Sequence, residues 1–116
     1  MMIKIYGIPN CDTVKKARRW LDDAGVAYDF HDFRKDGLEP ERLQGWIDAL
    51  GWEAVLNKRG TTFRKLDEAD KAGLDAAKAK MLMLDQPAMI KRPVAEWGEG
   101  VSVGFSADEW RARLAA

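Results

Sequence analysis

The chain has 116 residues, of which 47% are hydrophobic, and it contains five tryptophans and one cysteine. This size and apolar content fit one folded domain and exclude an intrinsically disordered chain. The 19 Lys and Arg residues balance the 19 Asp and Glu residues, which argues against nucleic-acid binding. The absence of a long apolar run argues against a membrane span or a signal peptide and favours a cytoplasmic protein.

The first 33 residues predict a βαβ unit. Residues 2–6 alternate apolar and polar side chains and are expected to form a strand that ends at the Gly-Ile-Pro-Asn sequence. An apolar stripe at helical spacing then predicts a helix that begins near Cys11 and ends at Gly25. Alternation over residues 26–33 predicts a second strand. We expect the two strands to be parallel, with a right-handed crossover.

The middle of the chain is predicted to be helical. Apolar residues at positions 43, 46, 47 and 50 predict a helix that opens at Pro40, and a short turn is expected over residues 52–56. Residues 57–65 are polar and basic and are expected to form a loop. Asp75 is the expected N-cap of a further helix that ends near Leu84.

The end of the chain predicts a β-hairpin and a closing helix. Residues 89–97 and 101–105 are expected to be strands joined by a Gly-Glu-Gly turn. Ser106 and Glu109 form a capping box that opens the last helix. The complete order predicts an α/β, thioredoxin-like domain covering residues 1–116, with a mixed four-stranded sheet and a helical insertion at about residues 39–86.

Cys11 is the strongest candidate for a reactive residue. It lies at the turn between the first strand and its helix, where free backbone N–H groups and the helix dipole favour a thiolate. Lys15 lies one turn further on and adds positive charge, whereas Asp12 opposes it. A buried structural cysteine is the alternative. Position 14 is Val, so an intramolecular disulfide is excluded and an outside thiol, with glutathione as the candidate, must resolve any adduct.

Three further groups are candidates for substrate binding. Asn10 and Thr13 flank Cys11. Arg92 and Pro93 lie in the predicted third strand, which faces the cysteine in a thioredoxin-like plan. An exposed arginine on an edge strand is the alternative. The basic loop, with Lys58 and Arg59, either closes over an anion or is simply solvated. His31 lies in no ligand cluster, so no metal site is predicted.

Three segments together resemble one known family. They are YGIPNCDTVKKA near the start, LNKRGTTFRKL in the middle and MIKRPV before the hairpin. These motifs, in this order and over essentially the whole chain, resemble the thioredoxin-fold arsenate reductase family, and within it the small YffB-like proteins. The Spx-type regulators resemble the chain as more distant cousins.

The resemblance implies a mechanism for Cys11. In that family the matching cysteine attacks arsenate, glutathione attacks the adduct, and glutaredoxin clears the resulting mixed disulfide. The reductases hold the oxyanion with three arginines, of which Arg92 matches the second and precedes a proline, here Pro93, that the family keeps cis. Asn57 stands at the first arginine position and Phe105 at the third.

The expected function is therefore a glutathione-dependent monothiol reductase, with Cys11 as nucleophile forming a mixed disulfide or an arsenate adduct and Lys15 assisting it. We expect no bound cofactor, glutathione as co-substrate, glutaredoxin as a partner and a monomeric protein. The missing arginines predict weak arsenate binding. The alternative is a non-catalytic, Spx-like regulator that contacts RNA polymerase, although Val14 removes the two-cysteine switch typical of those regulators.

Overall fold

The computed structural model describes residues 2–115. The chain forms two compact units, one built from the chain up to Gly37 together with the chain from Arg92 onward, and the other from Leu38–Lys91. That the chain is a single domain with a helical insertion stays a prediction. None of the helices within residues 2–115 has the length and apolar composition needed to cross a bilayer.

The first unit contains a four-stranded mixed sheet in the order β2-β1-β3-β4. Its strands are β1 (Lys4–Gly7), β2 (Asp29–Asp32), β3 (Val94–Glu96) and β4 (Val101–Val103). β1 is parallel to β2 and antiparallel to β3, and β3 is antiparallel to β4. This arrangement confirms the predicted parallel βαβ unit, the hairpin and the mixed sheet.

Helices connect and follow these strands. They are α1 (Asp12–Asp23), α2 (Phe33–Asp36), α3 (Pro40–Leu50), α4 (Trp52–Val55), α5 (Thr61–Arg64), α6 (Glu68–Lys71), α7 (Ala76–Asp85) and α8 (Ala107–Ala115), with a 3₁₀ helix at Pro87–Met89. Pro40 opens α3 and the Asp75 side chain accepts a hydrogen bond from the Lys78 amide at 2.8 Å, as expected for an N-cap. The Glu109 amide lies 3.4 Å from the Ser106 hydroxyl at the start of α8.

One face of the sheet in the first unit packs against α1 and α8. Ile3 and Ile5 contact a core that includes Ala17 and Leu21 of α1 and the buried Trp110 of α8; Ala95 and Trp97 complete it. Edge-to-face contacts join Trp110 to Trp97, with ring centroids 4.9 Å apart, and to Trp20 at 6.1 Å. The Trp97 indole donates a hydrogen bond of 2.9 Å to the buried Ser102 hydroxyl, so its polar atom is satisfied.

The second unit has its own core. Its buried side chains come from α3, α4, α5, α7 and the segments next to them, whereas α6 contributes none. They are Leu43, Trp46, Ile47, Val55, Leu56, Phe63, Ala79, Met83, Met89 and Ile90. Leu56 and Ile90 form an isolated antiparallel bridge. Hydrogen bonds on both sides extend it, because the Lys91 amide donates to the Val55 carbonyl and the Asn57 amide donates to the Met89 carbonyl, each at 2.8 Å.

Several predicted boundaries are wrong. Residues 89–97 are not one strand, because the 3₁₀ helix reaches Met89 and β3 begins only at Val94. The predicted loop at 57–65 contains the single turn α5, and α6 was not predicted at all. β2 is shorter than predicted because the Asp32 side chain accepts a hydrogen bond from the Arg34 amide and starts α2.

Gly7 is where the sheet and α1 approach most closely. A Cβ atom at this position would lie 2.8 Å from Cγ2 of Val14, and Val14 is fully buried. A valine in a helix has one strongly preferred χ1 rotamer, so it cannot turn away from the added atom without loss. The end of β1 therefore requires glycine.

We predict that Gly7→Ala destabilises the protein by about 1–3 kcal/mol, because the new methyl group overpacks the contact with Val14. Gly45→Ala is the matched control, since Gly45 lies exposed in α3 and a methyl group added there would have no atom within 4 Å. That change should stabilise the protein by about 0.5–1 kcal/mol through helix propensity. Urea unfolding measures both, and destabilisation by the two alanines alike would contradict the packing argument.

Candidate functional site

Cys11 is the N-cap residue of the 12-residue helix α1, as the sequence predicts. Its backbone is extended, with φ −83° and ψ 128°, and its side chain makes no capping hydrogen bond. The Cys11 amide donates to the Ile8 carbonyl at 3.1 Å, and its carbonyl accepts from the Lys15 amide at 2.9 Å. The backbone is thus held at the positive end of the helix dipole, while the half-buried thiol stays accessible.

Charged and polar side chains surround this helix start. Lys15 is exposed and forms no ion pair with any residue from 2 to 115, so its positive charge is not cancelled by a neighbour. Asp12 is exposed in the first turn and acts in the opposite direction. Asn10 and Thr13 are exposed on either side of the cysteine. Their polar side chains are therefore free to contact a molecule bound at Cys11.

Val14 occupies the position at which a second cysteine would form a redox pair. Its side chain is fully buried against Gly7. Because Cys11 is the only cysteine in the chain, a disulfide formed by Cys11 must join it to another molecule. The site is therefore suited to reactions in which a second, external thiol completes the cycle.

Arg92 and Pro93 lie at the same end of the sheet as Cys11. The register pairs Tyr6 with Val94, so Gly7 and Pro93 follow as the next positions on the two strands. The Arg92–Pro93 peptide bond is cis, as the resemblance implies. The Pro93 carbonyl accepts a hydrogen bond of 2.9 Å from the Gly104 amide, which extends the β3–β4 pairing and fixes the proline.

Arg92 is half-buried, and within residues 2–115 its guanidinium forms no ion pair. A partly desolvated arginine gains most from a carboxylate or oxyanion that it can bind through two hydrogen bonds. β3, which follows Arg92, is paired with β1 on one side and β4 on the other and is not an edge strand. This side chain is the candidate for holding an anionic group at the Cys11 end of the sheet.

Lys58 and Arg59 lie in the second unit. They line a pocket of about 420 Å³ together with Lys91, Asn57 and Glu53; Ala54 and Leu56 complete the lining. We call this the basic pocket. The sequence did not predict the part played by Lys91, because the bridge between Leu56 and Ile90 that brings it here joins segments more than 30 residues apart.

The two positions at which the family has further arginines serve other purposes here. The Asn57 side-chain oxygen accepts a hydrogen bond of 3.1 Å from the Arg59 amide and so shapes the turn. The Phe105 ring packs edge-to-face on Trp110, with centroids 4.8 Å apart, and on Trp20 at 6.2 Å. Neither position supplies a positive charge.

His31 has a structural environment. Its Nε2 atom lies 2.6 Å from the Gly37 carbonyl oxygen, and its ring lies 5.0 Å from that of Tyr6. Within residues 2–115, no three His, Cys, Asp or Glu side chains come together in a group suited to a metal ion. These observations direct attention to the thiol rather than to the imidazole.

Comparison with known proteins gives a consistent result. The model of the ArsC family matches residues 6–113. A solved structure of a YffB protein is 58% identical, with a TM-score of 0.94 over 97% of this chain and 98% of that one. An arsenate reductase (ArsC) related protein from Brucella melitensis is 49% identical, with a TM-score of 0.80 over 100% and 97% of the two chains. The predicted thioredoxin-like fold is thereby confirmed.

The curated relatives include a regulator. The global transcriptional regulator Spx of Streptococcus agalactiae is 30% identical over 115 residues, which cover 97% of this chain and 83% of that protein. The two kinds of relative, reductase-related and regulatory, therefore share one fold with the present chain. The choice between the two activities depends on what the residues around Cys11 do.

We predict that Arg92 allows an oxyanion to protect Cys11. Inorganic sulfate should slow the alkylation of Cys11 by iodoacetamide in the native protein, because the anion binds beside the thiol. In Arg92→Gln the sulfate concentration needed for the same protection should rise at least about 10-fold, the equivalent of one charge-assisted hydrogen bond. The measurement is the alkylation rate against sulfate concentration.

Arg19→Gln is the matched control, since Arg19 is an exposed arginine of the same unit that lies in the second half of α1, about two turns from Cys11. It should leave the protection unchanged. Equal loss of protection in both variants would mean that sulfate acts only through general ionic screening and would contradict the assignment of Arg92.

Proposed function

We propose that this chain, which belongs to the ArsC family, is a glutathione-dependent monothiol reductase whose nucleophile is the thiolate of Cys11. The observation that carries the proposal is the placement of a single accessible cysteine at the N-cap of α1, at the same end of the sheet as a half-buried arginine. Each feature favours a negatively charged sulfur or substrate at that end.

The proposed cycle has two thiol–disulfide exchanges. The Cys11 thiolate attacks the glutathione sulfur of a mixed disulfide, so that an S–S bond forms on Cys11 and the substrate leaves as a thiolate that takes up a proton. A glutathione thiolate then attacks this new disulfide, releasing oxidised glutathione and regenerating the Cys11 thiolate. Overall, one glutathione is oxidised for each substrate disulfide reduced.

The surrounding residues have distinct proposed roles. The N–H groups of the first turn of α1, with Lys15, stabilise the thiolate as attacking and leaving group. Arg92 binds a carboxylate or oxyanion of the substrate, and the cis-Pro93 segment sets the backbone beside which the substrate lies. Asn10 and Thr13 offer hydrogen-bonding groups next to the sulfur.

A disulfide suits the site better than arsenate does. Arsenate is a compact, phosphate-like anion, which several guanidinium groups bind well together. Asn57 and Phe105 stand at two of the three arginine positions, and each missing charge-assisted bond is worth about 1.5–3 kcal/mol. Thiol–disulfide exchange needs only the helix start and one anion-binding group, and it requires the glutathione pool of the cytoplasm.

A second candidate function is regulatory. The match to the Spx regulator favours a non-catalytic protein that binds RNA polymerase. A pull-down from cytoplasmic extract, with this protein immobilised on beads, distinguishes the two functions. Stoichiometric recovery of polymerase subunits supports the regulator. Recovery of partners only as mixed disulfides of Cys11 supports the reductase. In the reductase, glutaredoxin is an expected partner whose thiolate takes the glutathione from Cys11 in place of the free glutathione of the second exchange.

We predict that Cys11→Ser abolishes the reduction of a glutathionylated peptide, because no other thiol in the chain can form the intermediate. The wild-type protein should accumulate one glutathione per chain when oxidised glutathione is added. The assays are peptide reduction coupled to glutathione reductase and intact-protein mass spectrometry.

The matched control is Ser106→Ala, which removes a hydroxyl near the start of α8 and leaves the cysteine untouched. It should retain the activity. Full activity in Cys11→Ser would show that the proposed nucleophile is wrong, and a wild-type protein that never acquires glutathione would show that this thiol is not the co-substrate.

A further inference from the structure

The basic pocket carries one acidic residue among its cations. Lys58, Arg59 and Lys91 are exposed around it, and Glu53, in the first turn of α4, lies in the same lining. A site built for a simple oxyanion gains nothing from a carboxylate, because like charges repel. The mixture of charges therefore calls for a ligand that itself carries both signs.

These charged side chains form no ion pairs with one another in the part of the chain that the structure describes. Among residues 2–115, none of the three cations pairs with another carboxylate either. With three positive groups and one negative group in its lining, the pocket has a net positive charge. A ligand with two carboxylates and one ammonium matches this pattern.

Several contacts hold the pocket in shape. Hydrogen bonds on both sides of the Leu56–Ile90 bridge fix the segment before Lys58 against the segment that ends at Lys91. Asn57 closes the turn by accepting from the Arg59 amide. The Lys58 ammonium lies 5.3 Å from the centre of the Trp52 ring, within the range of a cation–π contact. The three cationic side chains therefore extend from a backbone that these hydrogen bonds hold in place without a ligand.

The size of the pocket also favours an organic ligand over a simple oxyanion. Its volume of about 420 Å³ lies within the range of sites for small organic molecules, roughly 300–1,000 Å³. A tetrahedral oxyanion would fill only a small part of this space. A peptide-sized ligand can reach the carboxylate and the cations at the same time.

We infer that the basic pocket binds the zwitterionic end of an acidic peptide, with Glu53 receiving the ammonium and Lys58, Arg59 and Lys91 receiving the carboxylates. The γ-glutamyl end of glutathione, with one ammonium and one carboxylate, and its glycine carboxylate have this chemistry. The identification of the peptide as glutathione rests on the proposed function, whereas the charge pattern does not.

The test uses two ligands that cannot react with Cys11. S-methylglutathione keeps both carboxylates and the ammonium, and its N-acetylated derivative lacks only the ammonium charge. Binding is followed by NMR titration of the backbone amides of the full chain. We expect S-methylglutathione to shift the amides of residues 57–59 and 91 and to bind more tightly than the acetylated ligand.

Variants then assign the two signs of charge. Glu53→Gln should weaken S-methylglutathione about two- to five-fold, as expected for an exposed ion pair, and should not weaken the acetylated ligand. Arg59→Gln should weaken both ligands. Glu68→Gln, an exposed glutamate of α6 that does not line the pocket, is the matched control and should change neither.

Two results would overturn the inference. If Glu53→Gln tightens both ligands equally, the pocket is a plain anion site. If neither ligand shifts these amides at millimolar concentration, the cations are only solvated. Because the ligands have no free thiol, either result is independent of glutathione exchange at Cys11. If both ligands bind as expected but Cys11 does not exchange with glutathione, only the proposed function is contradicted.

Discussion

The close packing of Val14 at Gly7 positions the helix start that carries Cys11 at one end of the sheet. The last residue of β1 has no side chain, and the buried Val14 fills the space that a side chain would take. This close contact anchors the first turn of α1 on the sheet. The short turn between the two elements then leaves Cys11 at the N-cap, with its amide bonded to Ile8.

The same contact bears on the one-thiol chemistry that we propose. The residue three positions after Cys11 is needed for packing, and it is valine. Under the proposed function, the thiol that resolves a Cys11 disulfide therefore comes from another molecule. Arg92 adds a half-buried positive charge at that end of the sheet, so an anionic co-substrate is favoured over a neutral one.

The resemblance to the arsenate reductases places Asn57 and Phe105 at positions where those enzymes have arginine. Phe105 has joined an aromatic cluster with Trp20 and Trp110, and Asn57 shapes a backbone turn. Both residues contribute to structure where a charged side chain would contribute to oxyanion binding. Under the proposed function, a reductase for disulfides needs no positive charge at these two positions, whereas a site for a compact oxyanion gains from several guanidinium groups.

Much of this arrangement could be predicted from the sequence. The alternation in β1, the helical stripe of α1 and the cap at Asp75 are local patterns, and each predicted an element that the structure contains. The basic pocket could not be predicted in full, because Lys91 reaches it through long-range pairing with the segment around Leu56. Residues 89–97 resemble one strand in sequence, but the structure divides them between the bridge at Ile90 and β3, which begins at Val94.

The most direct test of the proposed thiol chemistry compares the alkylation rate of Cys11 in the folded protein with that in the urea-unfolded chain at about pH 6. An ordinary thiol has a pKa of about 8.5 and is almost entirely protonated there. If the helix start and Lys15 stabilise the thiolate, the folded protein reacts faster despite the partial burial of the sulfur. A folded protein that reacts more slowly than the unfolded chain would contradict the claim that the fold activates Cys11.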